Sequence, residues 1–464
     1  MPPVTLGASL RSAVVNVLAS AGAALAGLMA TAVMTRNMDL ETFGAAVLLV
    51  SGVNALAIFE GLRPVVIYRL ADPSSHWPTL FHSTARINTS IAASILALGA
   101  LLHSVGITSF LSSATASLFA LTIPTFFALM QYWIFLDALG DTAFTGLARS
   151  IAWTILYAAF AALALLGSRL EVFALTLLLM NLALFVVLRV RFKAIRPATA
   201  FGGLHIAKPP TETHRLFRAA ANTIVFNIAA VTINLADRVI IGSIRGNNVL
   251  GSYAGPAEIV LRANGLIRAG LQVFLPWAAQ QRDDITTKHR YWVASITLLT
   301  TVGGIGCSLC LCWRDNLAIA ILGARFADAG DLLGIFVAAL LVSSFGYVCI
   351  LFFNSIGNFH TQRTLYLFGA GSLLSVGVPV AYFGRVETLA LVFLSARCVD
   401  LIMAHLILTS HQTVGKRRLY SLFSLTLVQF CFGWLKAPLA ITATIPIGGI
   451  LAFSIARSLR KQYR

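Results

Sequence analysis

Apolar runs long enough to form membrane-crossing helices recur along nearly the whole chain, separated by short polar turns. They fall at 12–34, 43–59, 86–103, 114–136, 147–166, 171–188, 218–242, 251–275, 292–312, 331–353, 364–383, 386–409, 420–435 and 437–456. Each approaches the roughly 20 residues that a helix needs to cross a hydrocarbon core. The pattern predicts an all-α polytopic membrane protein of about 14 transmembrane helices. Twelve is the alternative, because Lys436 and Pro438 split the last apolar region into a short piece and a normal one. A hairpin suits that region better than one helix of about 35 residues, which would be over 50 Å long against a core of about 30 Å.

The polar interruptions give the organisation. The stretch 189–217 is basic and contains Pro197, Gly202, Gly203 and the pair Pro209-Pro210, which reads as a cytoplasmic connector. It divides the first twelve helices into an N-terminal six-helix bundle, 1–188, and a C-terminal one, 218–410, followed by a hairpin and basic tail at 411–464. Two such bundles facing each other form a central cavity that can open to either side, the architecture of alternating access. A single compact bundle with one long loop is the competing reading.

Composition removes other classes. Of the 464 residues 58% are hydrophobic and 11% charged, against about a quarter charged in a soluble domain. The longest polar stretch is too short for a catalytic domain, and no nucleophile, paired-acid or metal-ligand motif stands out, so the chain is read as no enzyme, with no cofactor and no metal. The net charge of +17 belongs to residues flanking apolar spans, where it orients the protein and meets anionic headgroups; nucleic acid is not the expected partner. With the N-terminus inside, 23 of the 34 Lys and Arg fall in inside segments and 7 in outside ones. That places both termini in the cytoplasm and requires an even number of spans. The first run ends at Thr35-Arg36-Asn37 and is too long for a cleaved signal core, so it reads as a retained helix. The six cysteines lie in apolar runs and read as packing residues.

Ionisable side chains inside spans are expensive and mark a polar cavity or a partner. Four places qualify. On the seventh span, Asn227, Asn234 and Arg238 can share a face, with Asp237 beside them. A cap with Arg238 snorkelling to headgroups is the bland reading. On the eighth, Glu258 and Arg262 are four apart and can pair. Arg268 points elsewhere on the helix, and Asn264 and Gln272 add polarity. Arg262, near mid-span, is the strongest substrate candidate, with a structural salt bridge to Glu258 as its rival. On the twelfth, Arg397 and Asp400 are spaced to pair. At the end of the second, Glu60 and Arg63 precede Pro64, either at a gate or on a surface helix. In the first half, Asp137 and Asp141 read equally as a ligand edge or a wet loop, and Tyr132 and Trp133 are the pair carried as sugar-stacking residues. All four arginines assigned to spans lie in the second half.

Two fragments resemble the polysaccharide-transporter branch of the multidrug/oligosaccharidyl-lipid/polysaccharide exporter superfamily. TRNMDLETFGAAVLLVSG, with Arg36 and Phe43-Gly44, is similar to that family's opening. INLADRVIIGSIRGNNVLGSYAGPAEIV is similar to its passage from the seventh to the eighth helix, through Asp237, Ile241-Gly242 and Gly251-Ser252-Tyr253-Ala254. The resemblance implies a flippase for a polyprenyl-diphosphate-linked oligosaccharide in the bacterial inner membrane, serving O-antigen, lipopolysaccharide, capsule or exopolysaccharide. It also implies a monomeric transporter with a polysaccharide polymerase and a chain-length regulator as partners; coupling to an ion gradient stays open. In that reading Arg262, Arg268 and Arg397 meet phosphate or acidic sugar, and Asn227, Asn234, Asn264 and Gln272 meet hydroxyls. Asp237, Arg238, Glu258, Asp400, Glu60 and Arg63 are structural or gating. A drug/cation antiporter of the same superfamily is disfavoured by a first span without a carboxylate. A lipid II flippase is disfavoured by the missing first-half arginines, and a glycan polymerase or transferase by the lack of a large outside loop.

Overall fold

A computed structural model describes residues 6–56, 62–70, 77–104, 113–195, 210–272, 303–356 and 358–397, with single positions between 275 and 299 and at 402. Among these the regular elements are α-helices, with one 3-10 segment at Ala324–Ala329 and no strand. In chain order they are α1 (Leu6–Asn37), α2 (Leu40–Ala55), α3 (Leu62–Leu70), α4 (Trp77–Ser104), α5 (Ser113–Ala138), α6 (Thr142–Leu165), α7 (Leu170–Ile195), α8 (Pro210–Arg245) and α9 (Asn247–Gln272). Then come α10 (Gly304–Cys312), α11 (Arg314–Leu322), α12 (Gly330–Ile356), α13 (Phe359–Phe383) and α14 (Val386–Ala396). Seven described helices are long and apolar enough to cross a membrane, or eight if α10 and α11, bent by 78°, form one broken span. The last two expected spans, Glu60, Asp400 and the Gln272 side chain lie outside the described residues.

Two boundaries differ from the hydropathy pattern; at the first, apolarity reports where a helix leaves the membrane and not where it ends. α7 runs to Ile195 and α8 begins at Pro210, so both ends of the expected connector are helical. The basic residues there are good helix formers, and Arg191 is held by Asp141 at 2.8 Å. The stretch 313–330, expected as an outside loop, is α11 followed by the 3-10 segment. Its apolar core, Ala318 to Leu322, is masked in hydropathy by Arg314, which is buried and reaches Asp331 at 2.8 Å.

Packing separates central from peripheral helices. The most apolar window of the α12 region is 83% buried, whereas that of α7 is 17% buried; α12 is a core helix and α7 faces lipid. Exposed leucines and valines along α7, together with Leu147, Ile151 and Ile155 on α6, form that outer apolar surface. α9 lies against α1 and α2 on one side and α12 on the other, while α8 packs on α13 and α5 on α7.

The contact of α2 with α9 is reciprocal. A Cβ on Gly44 would lie 2.2 Å from the carbonyl oxygen of Asn247, the first residue of α9. A Cβ on Gly251 would lie 2.3 Å from the carbonyl oxygen of Leu40, the first residue of α2. Each helix thus brings a glycine one turn in against the other's first carbonyl, an approach open only to a residue without a side chain. Gly44 and Gly251 each lie in one of the two fragments that carry the family resemblance. The approach is reciprocal, and it fixes how closely α9 lies on α2.

Candidate functional site

Along α9 the polar residues rise from that crossing into the protein. Arg262 Nη2 meets Glu258 Oε2 at 2.6 Å, the pairing that four-residue spacing predicts. The other carboxylate oxygen, Oε1, accepts from Arg238 Nη1 of α8 at 2.7 Å. One carboxylate therefore serves two guanidiniums. Arg238 is 2% exposed and also donates to Ser51 Oγ of α2 at 3.0 Å. It does not snorkel to an interface; the capping reading is overturned by this burial, made affordable by two hydrogen-bonded partners.

Asp237, on the same turn, accepts from the Arg238 backbone N at 2.9 Å and from the Tyr253 hydroxyl at 2.5 Å. Arg397, at the end of α14, donates to Asn234 Oδ1 and lies 5.2 Å from the Phe393 ring centre. Asn227 is half-buried two turns earlier on α8. Three guanidiniums, those of Arg238, Arg262 and Arg397, thus stand with two carboxylates, those of Asp237 and Glu258.

Arg262 reaches out of its own half. A Cβ on Gly27 of α1 would lie 2.9 Å from its Cδ and Nε, so α1 gives passage at that glycine. Beyond it the guanidinium donates to the Tyr157 hydroxyl of α6, with Cζ 4.2 Å from the ring centre. Its side chain remains 14% exposed. Arg268 points away from this contact, as its helical position predicts, and lies 5.1 Å over the Tyr347 ring of α12. Asn264 is buried, and its Oδ1 has no hydrogen-bond partner among the described residues.

The first half holds a separate buried pair that sequence reasoning left unassembled. Arg63 of α3 meets Asp137 of α5 at 2.7 Å, and both are buried. Thr145 of α6 donates to the same carboxylate. Asp137 is therefore in no wet loop, and Arg63 is on no surface helix. The expected confinement of embedded arginines to the second half does not hold inside the protein, and it no longer separates this chain from a lipid II flippase. Trp133 sits between Arg63 and Arg149, whose Cζ atoms are 5.6 and 4.1 Å from its ring. Tyr132 faces a different cluster, with Phe81, Phe185 and Phe192. The two candidate stacking rings thus diverge.

No protein-family model matches the chain, and no curated protein is similar to it by sequence. Solved structures do match in fold. The lipid II flippase MurJ in an inward closed conformation aligns with a TM-score of 0.69 at 13% identity, over 97% of this chain and 100% of that one. An outward-facing multidrug resistance MATE family transporter of the MOP superfamily aligns with a TM-score of 0.59 at 14% identity, over 90% and 96%. A MOP superfamily transporter from Pyrococcus furiosus, described as having a binding pocket of reverse polarity, gives 0.56 at 14%, over 90% and 96%. The chain has the fold of these all-α polytopic membrane transporters.

Proposed function

We propose that the chain is an alternating-access flippase that moves a polyprenyl-diphosphate-linked oligosaccharide across the bacterial cytoplasmic membrane for surface or exopolysaccharide synthesis. The observation that carries this reading is Arg262: a buried guanidinium of the second half, bound to a carboxylate there and to a tyrosine of the first half. Glu258 already has Arg238, so Arg262 can exchange Glu258 for an entering phosphate without stranding a bare carboxylate. The bidentate fork of arginine matches a phosphate, and losing the Tyr157 bond removes one of the ties between the halves. No bond in the substrate need break. The fold supports transport, and the absence of any carboxylate from α1 weighs against a cation antiporter.

The test measures leaflet-resolved lipid-linked glycan and membrane protein level in the same cells. Arg262→Ala is expected to abolish export at near-normal protein level, because the Arg238–Glu258 pair persists; Arg262→Lys keeps part of the activity. Full export by the alanine variant would remove Arg262 from the mechanism. Parallel loss of protein and export would assign it to the salt bridge. An antiporter would show cation efflux and no glycan accumulating on the inner leaflet when the protein is removed.

A further inference from the structure

A cavity lies within the first half, between α5, α6 and α7. Its wall includes Trp133, Arg149, Trp153, Met180, Asn181 and Leu184. The room inside, about 50 Å³, is that of a narrow slot of roughly three or four water-sized positions, which admits a short run of methylenes and no sugar ring.

Its position relative to lipid is defined by α7. Leu179, Leu182, Val186 and Val187 are each about half exposed on the outside of the helix that forms one wall. Arg189 and Lys193 follow on the exposed surface, with Arg191 between them. Arg149 therefore lies at the depth of Leu184 and Leu188, just inward of a basic girdle, with the aromatic and aliphatic wall continuing toward mid-helix through Trp153, Leu156 and Leu177. Cation above, apolar slot below, beside a lipid-facing surface: this is the polarity of an anionic lipid read from head to tail. The guanidinium is fixed over Trp133 at 4.1 Å, which pre-orients it for a phosphate.

We infer that this slot binds an anionic phospholipid of the surrounding leaflet, its phosphate on Arg149 and one acyl chain along Trp153, Met180 and Leu184. The chemistry that recognises it is a net negative headgroup, a phosphate monoanion with no compensating cation beside it, joined to a saturated or singly kinked chain. The site is distinct from the one around Arg262 and does not depend on the identity of any transported glycan.

Native mass spectrometry of the purified full chain, titrated with phosphatidylglycerol, phosphatidylcholine or glycerol 3-phosphate, tests the assignment. Phosphatidylglycerol is expected to be retained over phosphatidylcholine, and Arg149→Gln to cut that retention about tenfold, the size of one charge-assisted contact. Met180→Trp, which fills the slot and leaves the arginine in place, is expected to do the same, so a folding defect in the first variant does not decide the matter. Arg169→Gln, at the exposed opposite end of α7, is expected to change nothing. Wild-type retention by Met180→Trp, or equal binding of phosphatidylcholine, would overturn the proposal. Glycerol 3-phosphate binding as tightly as the lipid would assign the site to a free phosphate and overturn it equally.

Discussion

The two halves bury ionic clusters of different kinds. In the first half, Arg63, Asp137 and Thr145 come from α3, α5 and α6, and all of their mutual bonds stay within that half. In the second, Glu258 ties Arg238 to Arg262, and each arginine then continues across the interface, Arg238 to Ser51 and Arg262 to Tyr157. In the proposed alternating-access cycle, the Arg63–Asp137 bond need not change, whereas the bonds of Arg238 to Ser51 and of Arg262 to Tyr157 would have to open. On that proposal the first pair is scaffold, and the second needs replacement partners, which the proposed anionic substrate would supply.

The largest effect is expected at Glu258. Glu258→Gln leaves two buried guanidiniums without their shared counter-charge, a loss of about 3–5 kcal/mol for a broken buried pair. Folded, monodisperse protein should fall sharply, and neutralising Arg262 in the same chain should restore part of it. Additive losses in that double-mutant cycle would mean that the two side chains act independently, and the contrast between clusters would lose its basis.

Asp137→Asn comes next. It removes the counter-charge of one arginine rather than two, with a cost of about 3 kcal/mol. The comparison becomes sharp in the second readout: export per folded molecule should stay at the wild-type level, since the Arg63–Asp137 and Thr145–Asp137 bonds both lie within the first half. A specific export defect in Asp137→Asn at normal abundance would merge the two clusters into one mechanism.

The sequence made one of these clusters far easier to see than the other. Glu258 and Arg262 are one helical turn apart, so pairing follows from helix geometry alone, as does the divergence of Arg268. Arg63 and Asp137 sit on different helices, and each lies where apolarity is ending, which gives a loop residue and a buried one the same local pattern. The second partner of Glu258, Arg238, is legible as a polar residue near a span end, but its direction depends on the α8–α9 packing. Gly27 carried no signal at all: in an alanine- and glycine-rich helix, the glycine that lets an arginine pass looks like its neighbours. α11 was hidden because Arg314 reads as a polar terminator until Asp331 neutralises it. The seven clear spans were legible because twenty apolar residues have few alternatives to a membrane helix.

Tyr157→Phe probes the joint more gently. It removes the hydroxyl that accepts from Arg262 and keeps the ring beneath the guanidinium. The loss of one hydrogen bond is worth about 1 kcal/mol, so abundance should hold while export changes by a fewfold. Export indistinguishable from wild type would show that the contact between Arg262 and α6 is incidental.

The smallest effect concerns the end of the bundle that carries the α1–α2 turn. Arg36 of α1 donates to the Ala320 carbonyl in the last turns of α11 at 2.7 Å. Arg325 returns the contact, with both terminal nitrogens 2.9 Å from the Met38 carbonyl. These arginines join the halves through carbonyls near helix ends, which lack intrahelical donors. Arg245 makes the same kind of bond, to the carbonyls of Ala381 and Gly384, but within the second half. The Arg36 bond is exposed and those of Arg325 are part-buried; each is worth about 1 kcal/mol, a factor of about five in a two-state equilibrium. Spin labels at the exposed Glu41 and Asp328 would report the separation of the two halves at this end. Arg325→Gln should raise the widely separated population about fivefold, and Arg36→Gln should do so by a similar factor. Arg245→Gln should leave the distribution as it was, because its bonds do not cross the joint. If Arg245→Gln shifted the distances as much as Arg325→Gln, crossing the interface would not be what distinguishes these contacts.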